Sequence, residues 1–424
     1  MSVMAYRLVL FLIVVATGTI INLPGPLASV IRVAAIPALV VTAAVVIFRG
    51  SCRRLSSYYV LLILFFSWRM LSYFWSVSPD NTLSGLARIF PLLVISLLIW
   101  ETCRTRSQAD GALQAFVLGG YVLIISLAYN FAIGAQSTDA DRIAAGGFNP
   151  DDFLYLIPVP IAWYLARRPE LSSRFVVWLN IGYVLLAPLG VVFTAGRAAL
   201  IVALPIYAYI IWDSRKLKSS TKITFALSLL LLVALLPKLG VETKLDRLAT
   251  TITNPSAGSK WGGALNGRDF LWAIAIKQFA AHPILGTGAT TFSFFSADSQ
   301  AVATSRGDDG EGLPAHNTYL SILSETGLIG FFLFALLFIV ACRAAWLQED
   351  RMRRNAFIAA VVAMLVGIST LTYENNIGIW LLLTLIVDSS SADRLRIRRQ
   401  QAVIIHDMPG IPVKRFGSPK IGGS

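Results

Sequence analysis

From Leu328 to Ala341 the chain reads Leu-Ile-Gly-Phe-Phe-Leu-Phe-Ala-Leu-Leu-Phe-Ile-Val-Ala, with no charged residue. Wound as an α-helix, such a run satisfies its own backbone hydrogen bonds while presenting carbon on every face, which suits hydrocarbon rather than water. Runs of this kind recur along the whole chain. The 424 residues are 56% hydrophobic and 14% charged, with a mean hydropathy of +0.68, which leaves too little polar surface to cover a water-soluble globule of this length. The chain reads as an all-α, polytopic membrane protein, and no period-two alternation suggests a membrane barrel.

Apolar windows predict spans at residues 6–21, 27–48, 58–75, 85–100, 111–133, 153–166, 175–193, 196–212, 222–237, 317–346, 355–372 and 373–387, about twelve in all. Residues 1–387 thus form the membrane domain, and 388–424 a basic cytoplasmic tail. One long polar segment, 238–316, falls between the ninth and tenth spans.

Short loops rich in Lys and Arg stay on the cytoplasmic side. Arg49, Arg53 and Arg54 fill one loop, Arg104 and Arg106 the next, followed by Arg167, Arg168 and Arg174, then Arg215, Lys216 and Lys218, then Arg351, Arg353 and Arg354. The intervening loops lack such runs, so both termini are expected inside and 238–316 outside, in the periplasm of a double-membraned bacterium. The net charge of +13 is then a topology signal and not a nucleic-acid footprint. Arg7 before an apolar stretch imitates a signal peptide, but no small-x-small cleavage pattern follows, so this stretch reads as the first span. Cys52, Cys103 and Cys342 all fall toward the inner side, where thiols stay reduced and no disulfide is expected. Nothing in the sequence clusters His, Cys and carboxylates as a transition-metal site requires.

Within the outer segment, residues 241–253 and 265–281 have helical spacing, the second capped by Asn266 and stopped by His282-Pro283 before Gly286-Thr287-Gly288. Residues 296–312 are polar and glycine-rich and read as a flap. The segment closes on Ala315-His316-Asn317-Thr318-Tyr319-Leu320, which sets a histidine where water meets lipid.

Three separated motifs carry a resemblance. They are Phe193-Thr194-Ala195-Gly196-Arg197-Ala198-Ala199; Gly267-Arg268-Asp269-Phe270-Leu271-Trp272 with Gly286-Thr287-Gly288 downstream; and Ala315-His316-Asn317-Thr318-Tyr319-Leu320 followed by Glu325-Thr326-Gly327-Leu328-Ile329-Gly330. With Trp75-Ser76-Val77-Ser78-Pro79 and Asn149-Pro150-Asp151-Asp152, they resemble the superfamily of O-antigen ligases and O-antigen or exopolysaccharide polymerases. The chain departs from the family in reading Gly196-Arg197-Ala198 in place of Ser-Arg-Gly, and Asn149-Pro150-Asp151 in place of Asn-Pro-Asn.

The resemblance implies a metal- and cofactor-independent glycosyltransferase of the bacterial inner membrane with its active site facing the periplasm. Its donor would be an undecaprenyl-pyrophosphate-linked glycan. Its acceptor would be lipid A core for a ligase, or a growing polysaccharide for a polymerase. Membrane lipids are the surroundings, and nucleic acid is no partner. His316, Arg268 and Arg197 are the implied catalytic residues, with Asn317 and Asp151 beside the substrate. Departure of a pyrophosphate develops negative charge that a planar guanidinium can grip in pairs of hydrogen bonds, and an acceptor hydroxyl needs a base or an orienting group near neutral pKa, which His316 provides.

Read without the resemblance, Arg197 can snorkel to headgroups, Arg268 can be a solvated first-turn residue, and His316 can be structural. Arg32, Arg69 and Arg88 lie inside spans, where an ionisable group is costly. Two readings stand for them: lining the pyrophosphate site, or pairing helices through Asp151, Asp152, Glu325 or Glu374. Trp68, Tyr73, Phe74 and Trp75 read as an interfacial belt or a sugar-stacking surface. A lipid-carrier transporter is the competing class, disfavoured by the absence of visible repeats. A metal-dependent oligosaccharyltransferase is a third, disfavoured by a first outer loop, Asn22-Leu23-Pro24-Gly25-Pro26, that lacks any acid.

Overall fold

The computed structural model describes residues 2–18, 30–134, 152–168, 173–215, 268–297 and 312–406, the side chains of 30–34, 88–89 and 392–406 excepted. The expected span 222–237, the surface helix 241–253, the Asn266 cap, Asp151 and most of the flap 296–312 lie outside the described residues, as do the side chains of Arg32, Arg88 and His406.

The helices are α1 (Ser2–Thr17), α2 (Val30–Arg49), α3 (Ser57–Leu71), α4 (Pro79–Thr102), α5 (Arg106–Ala132), α6 (Val159–Ala166), α7 (Arg174–Thr194), α8 (Arg197–Ser214), α9 (Arg268–Ala281), α10 (Phe292–Ala297), α11 (Thr318–Trp346), α12 (Arg351–Ile368) and α13 (Ile377–His406), and 3₁₀ turns at Ser72–Trp75 and Leu154–Leu156 lead out of α3 and toward α6. Among the described residues there is no strand. Six helices, Ser57–Trp75 with its 3₁₀ turn, Pro79–Thr102, Arg106–Ala132, Arg174–Thr194, Arg197–Ser214 and Thr318–Trp346, are long and apolar enough to cross a membrane, and shorter apolar helices stand beside them.

Local sequence sets the boundaries. Thr105 and Gln108 form a reciprocal capping box at the start of α5. Asn317 accepts from the backbone N–H groups of Tyr319 (3.0 Å) and Leu320 (3.2 Å) to open α11, and Asp350 does the same for α12. α1 packs on α5 and α2, α8 on α12, α3 on α11, and α11 on α13. Glycine allows close crossings: a Cβ at Gly120 would lie 2.1 Å from the Tyr183 hydroxyl, which reaches across to donate to the Tyr155 carbonyl at 2.6 Å. Phe90, Phe175, Leu204, Phe332 and Ile339 point outward with more than half of their surface uncovered, a liability in water and the correct face toward lipid.

Two expected spans differ from the structure. Residues 153–166 form a 3₁₀ turn and the short α6, whose every residue is buried, so this apolar run is core and not a lipid-facing span. The span 317–346 is interrupted: at Gly327 the backbone turns to φ 64°, ψ −167°, which separates a polar half from the apolar half that begins at Leu328. Hydropathy reads through the break because the polar half buries Thr318, Ser321, Ser324, Glu325 and Thr326 within the bundle rather than exposing them to lipid. Beyond 387, α13 runs on, with Asp388, Ser389 and Ser390 buried.

The loops the sequence assigns to the inner side gather at one end. Arg49 and Arg104 both pair with Glu101, Arg106 and Arg168 both with Asp350, Arg167 with Asp213 and Arg353 with Asp110. Arg53 donates to the carbonyls of Trp100 (2.7 Å) and Cys103 (3.1 Å) while lying over the Trp100 ring. α4 ends here and begins at the other end of the bundle, and α12 begins here and ends there.

Candidate functional site

At that other end the chain after α9 is threaded between two elements. On one side it meets the broken helix: the N–H groups of Thr287 and Gly288 donate to the carbonyls of Ser324 (3.1 Å) and Glu325 (2.9 Å), and Leu328 returns a bond to the Pro283 carbonyl (2.9 Å). The approach needs glycine on both strands of the contact. A Cβ at Gly286 (φ +72°) would sit 2.3 Å from the Glu325 carbonyl oxygen, and one at Gly327 would sit 2.2 Å from that of Ile284. On the other side it meets the start of α4, where Val77 donates to the Thr287 carbonyl (3.0 Å), Thr82 to that of Ala289 (2.9 Å) and the Thr290 hydroxyl to that of Asn81 (2.8 Å). Both oxygens of Glu325 are engaged here, accepting from the N–H groups of Thr290 (2.7 Å) and Phe292 (3.1 Å) at the entrance to α10.

The aromatic cluster braces this junction. The Trp68 indole donates to the Thr326 carbonyl (3.0 Å) and the Trp75 indole to that of Leu285 (3.2 Å), with the two rings 5.1 Å apart. Phe74 stays 81% exposed, as an interfacial residue would be.

His316 occupies the left-handed region (φ 49°) immediately before the Asn317 cap, an arrangement that turns the incoming chain sharply into α11. The Thr318 hydroxyl donates to the Leu371 carbonyl (2.7 Å) and accepts from the Tyr373 N–H (2.9 Å), which ties the motif to the turn between α12 and α13. Tyr373 packs edge-on against Phe153, and two residues further on the Tyr155 hydroxyl meets that of Thr194 (3.3 Å). Thr194 and the left-handed Ala195 (φ 45°) form the corner from which Arg197 opens α8. From the other direction, Leu271 and Ala275 of α9, the helix that Arg268 opens, share an apolar cluster with Phe292 and Ala315. The elements bearing Arg197, Arg268, His316 and Asn317 therefore converge on one end of the bundle. Asp152, next to the undescribed Asp151, is buried and caps the 3₁₀ turn by accepting from Leu154 (2.8 Å).

Arg69 sits deeper. It has no exposed surface, its Nη2 donates to Asn375 Oδ1 (2.9 Å), and it interacts electrostatically with Glu374 and Glu325. Its Nε and Nη1 have no hydrogen-bond partner. Of the two readings of the intramembrane arginines, these contacts are those of the helix-pairing one, joining α3 to the turn before α13.

A cavity of about 590 Å³ opens above it. Exposed Ser84, Phe294 and Pro314 stand at its rim, and buried Ser321, Glu325 and Glu374 form its floor, with Asn375 beside them. Glu374 Oε1 accepts from the Ser321 hydroxyl (3.0 Å), whereas Oε2 is buried without a partner. Among the described residues, no three His, Cys, Asp or Glu side chains come together as metal ligands. Sequence reasoning treats Glu325 and Glu374 only as possible partners for arginine. The signal for more was present in the cost of two acids at membrane depth.

A polytopic helical bundle, charged and cross-linked at one end and hollowed around a broken helix at the other, defines a multi-pass membrane protein with a cavity at one end. Residues 182–335, which include Arg197, Arg268, His316 and Glu325, match the family model described as O-antigen ligase, which supports the resemblance to the O-antigen ligase superfamily. A search of curated proteins finds no match.

Proposed function

We propose that the protein transfers a glycan from an undecaprenyl-pyrophosphate carrier to a sugar hydroxyl at the periplasmic face of the inner membrane, as an O-antigen ligase does. The observation that carries this reading is the convergence of the α8 corner, the α9 start and the His316 turn on the bundle end opposite the arginine-rich loops. In this reading Arg197 and Arg268 hold the pyrophosphate. Their guanidinium groups stabilise the negative charge that grows on the leaving oxygen as the anomeric bond breaks. His316 takes the proton of the acceptor hydroxyl, or orients that hydroxyl, as its oxygen bonds to the anomeric carbon. Asn317 acts through the helix start it caps. No step calls for a metal or a nucleotide.

The test has two arms. A reporter fused after Ser299 should be active only in the periplasm and one after Ser219 only in the cytoplasm, and the reverse pattern would place the site on the wrong face. Deletion of the protein should leave completed polymer on the carrier and none on lipid A core, whereas carrier-linked single repeat units would mean a polymerase. His316→Ala in the purified protein should cut transfer about 10²- to 10⁴-fold. Undiminished turnover removes the imidazole from the chemistry.

A further inference from the structure

The floor of the cavity is chemically unlike its surroundings. It offers two buried carboxylates, Glu325 at 3% and Glu374 at 2% exposure, and they differ in what they have left to give. Glu325 has each oxygen committed to a backbone N–H group. Glu374 has one oxygen held by Ser321 and one bare, in a cavity lined by that same side chain. A buried acceptor without a donor costs free energy comparable to a lost hydrogen bond, so a ligand carrying a donor is the natural complement.

We propose that this floor is the acceptor-sugar subsite and that Glu374, through Oε2, receives a hydroxyl of the incoming saccharide. The assignment rests on the glycan-transfer reading given above. Three classes of ligand compete for the position, and charge separates them. A pyrophosphate is poorly served, because the described side chains that line the cavity include no arginine or lysine to grip it. A metal ion is disfavoured, because the Arg69 guanidinium already acts electrostatically on both acids. A neutral saccharide meets neither objection. It brings hydroxyl donors, and the side chains of Asn375 and Ser321 at the same floor offer further polar contacts of the kind sugars use. Arg69 is a positioning residue in this arrangement: its bond to Asn375 and its charge fix the turn that carries Glu374.

The consequence is a division of labour within one end of the bundle, with the carrier's phosphates among Arg197 and Arg268 and the acceptor on the carboxylate floor. Glu374→Gln, Glu374→Asp and Asn375→Ala proteins reconstituted in bilayers test it, with carrier-linked glycan as donor and whichever acceptor supports wild-type transfer. Two quantities are read: the acceptor KM, and binding of undecaprenyl pyrophosphate alone. Glu374→Gln should raise the acceptor KM about 10- to 100-fold, the cost of a lost buried hydrogen bond, with carrier binding held within about threefold of wild type. A merely structural role would move both together. An unchanged acceptor KM overturns the assignment, and so does a change in carrier binding beyond about tenfold, which would place Glu374 at the donor end. If the glutamine variant does not fold, the other two decide: a raised acceptor KM in either supports the subsite, and wild-type values in both overturn it. Absence of transfer by the wild-type protein with every acceptor is a different result. It removes the glycosyl-transfer reading, and the sugar subsite with it.

Discussion

Among the described residues, the two ends of the bundle differ in where ion pairs gather and where the backbone is strained. At the arginine-rich end, charge meets charge: Arg106 and Arg168 converge on Asp350, Arg49 and Arg104 on Glu101, and the fully buried Arg353 reaches Asp110 and the Tyr164 hydroxyl. At the other end Arg69 keeps two nitrogens, and Glu374 one oxygen, without hydrogen bonds, and the backbone takes left-handed angles at Ala195, Gly286, Thr290, His316 and Gly327. Matched charges lock loops together and fix topology. Bare buried polar atoms occur at both ends, Asp388 Oδ2 among them, but strained corners crowd around the cavity, as at places built for something that arrives later.

Three substitutions test the contrast. Arg353→Ala should have the largest effect on stability, since it breaks a buried ion pair with Asp110, at a cost of about 3–5 kcal/mol. Thermal unfolding in detergent should show a marked loss, while the fraction still folded turns over normally. Inactive but fully stable protein would mean that this end, too, takes part in the chemistry.

Gly327→Ala should cost less overall, about 1–3 kcal/mol from backbone strain, but its effect should fall on the site. Hydrogen exchange should rise at Thr287 and Gly288, whose N–H groups bond to the broken helix, and transfer should fall more than global stability does. Wild-type exchange at those two amides would show that the close approach is not required.

Arg106→Ala should do least, below about 1 kcal/mol, because its partly exposed guanidinium shares Asp350 with Arg168. A loss as large as that of Arg353→Ala would show that the paired end acts as one cooperative network rather than as separate bridges.

Much of the fold is legible in the sequence, because a lipid-crossing helix needs only length and carbon, and both are visible in a row of letters. The clustering of the basic loops was equally readable, since each obeys the same retention rule independently. What escaped is what depends on neighbours far away in the chain. The apolar stretch at 153–166 has the composition of a span, yet packing against α7 and α12 makes it core. Gly327 reads as one more small residue in a membrane helix until the chain from Pro283 to Gly288 is laid beside it. The site was legible as motifs around Arg197, Arg268 and His316, but not as a cavity. Glu374 reads as a polar residue in a tight turn, and only the fold, by placing Ser321 on one of its oxygens and nothing on the other, sets it apart.

The contact between the 283–288 segment and the broken helix consists of main-chain hydrogen bonds and of glycines that leave room for them. An interlock written in backbone atoms is indifferent to most of the side chains around it. Exposed positions such as Ile284 and Leu285 can therefore drift through many residue types over generations without dismantling the joint, while Gly286 and Gly327 cannot.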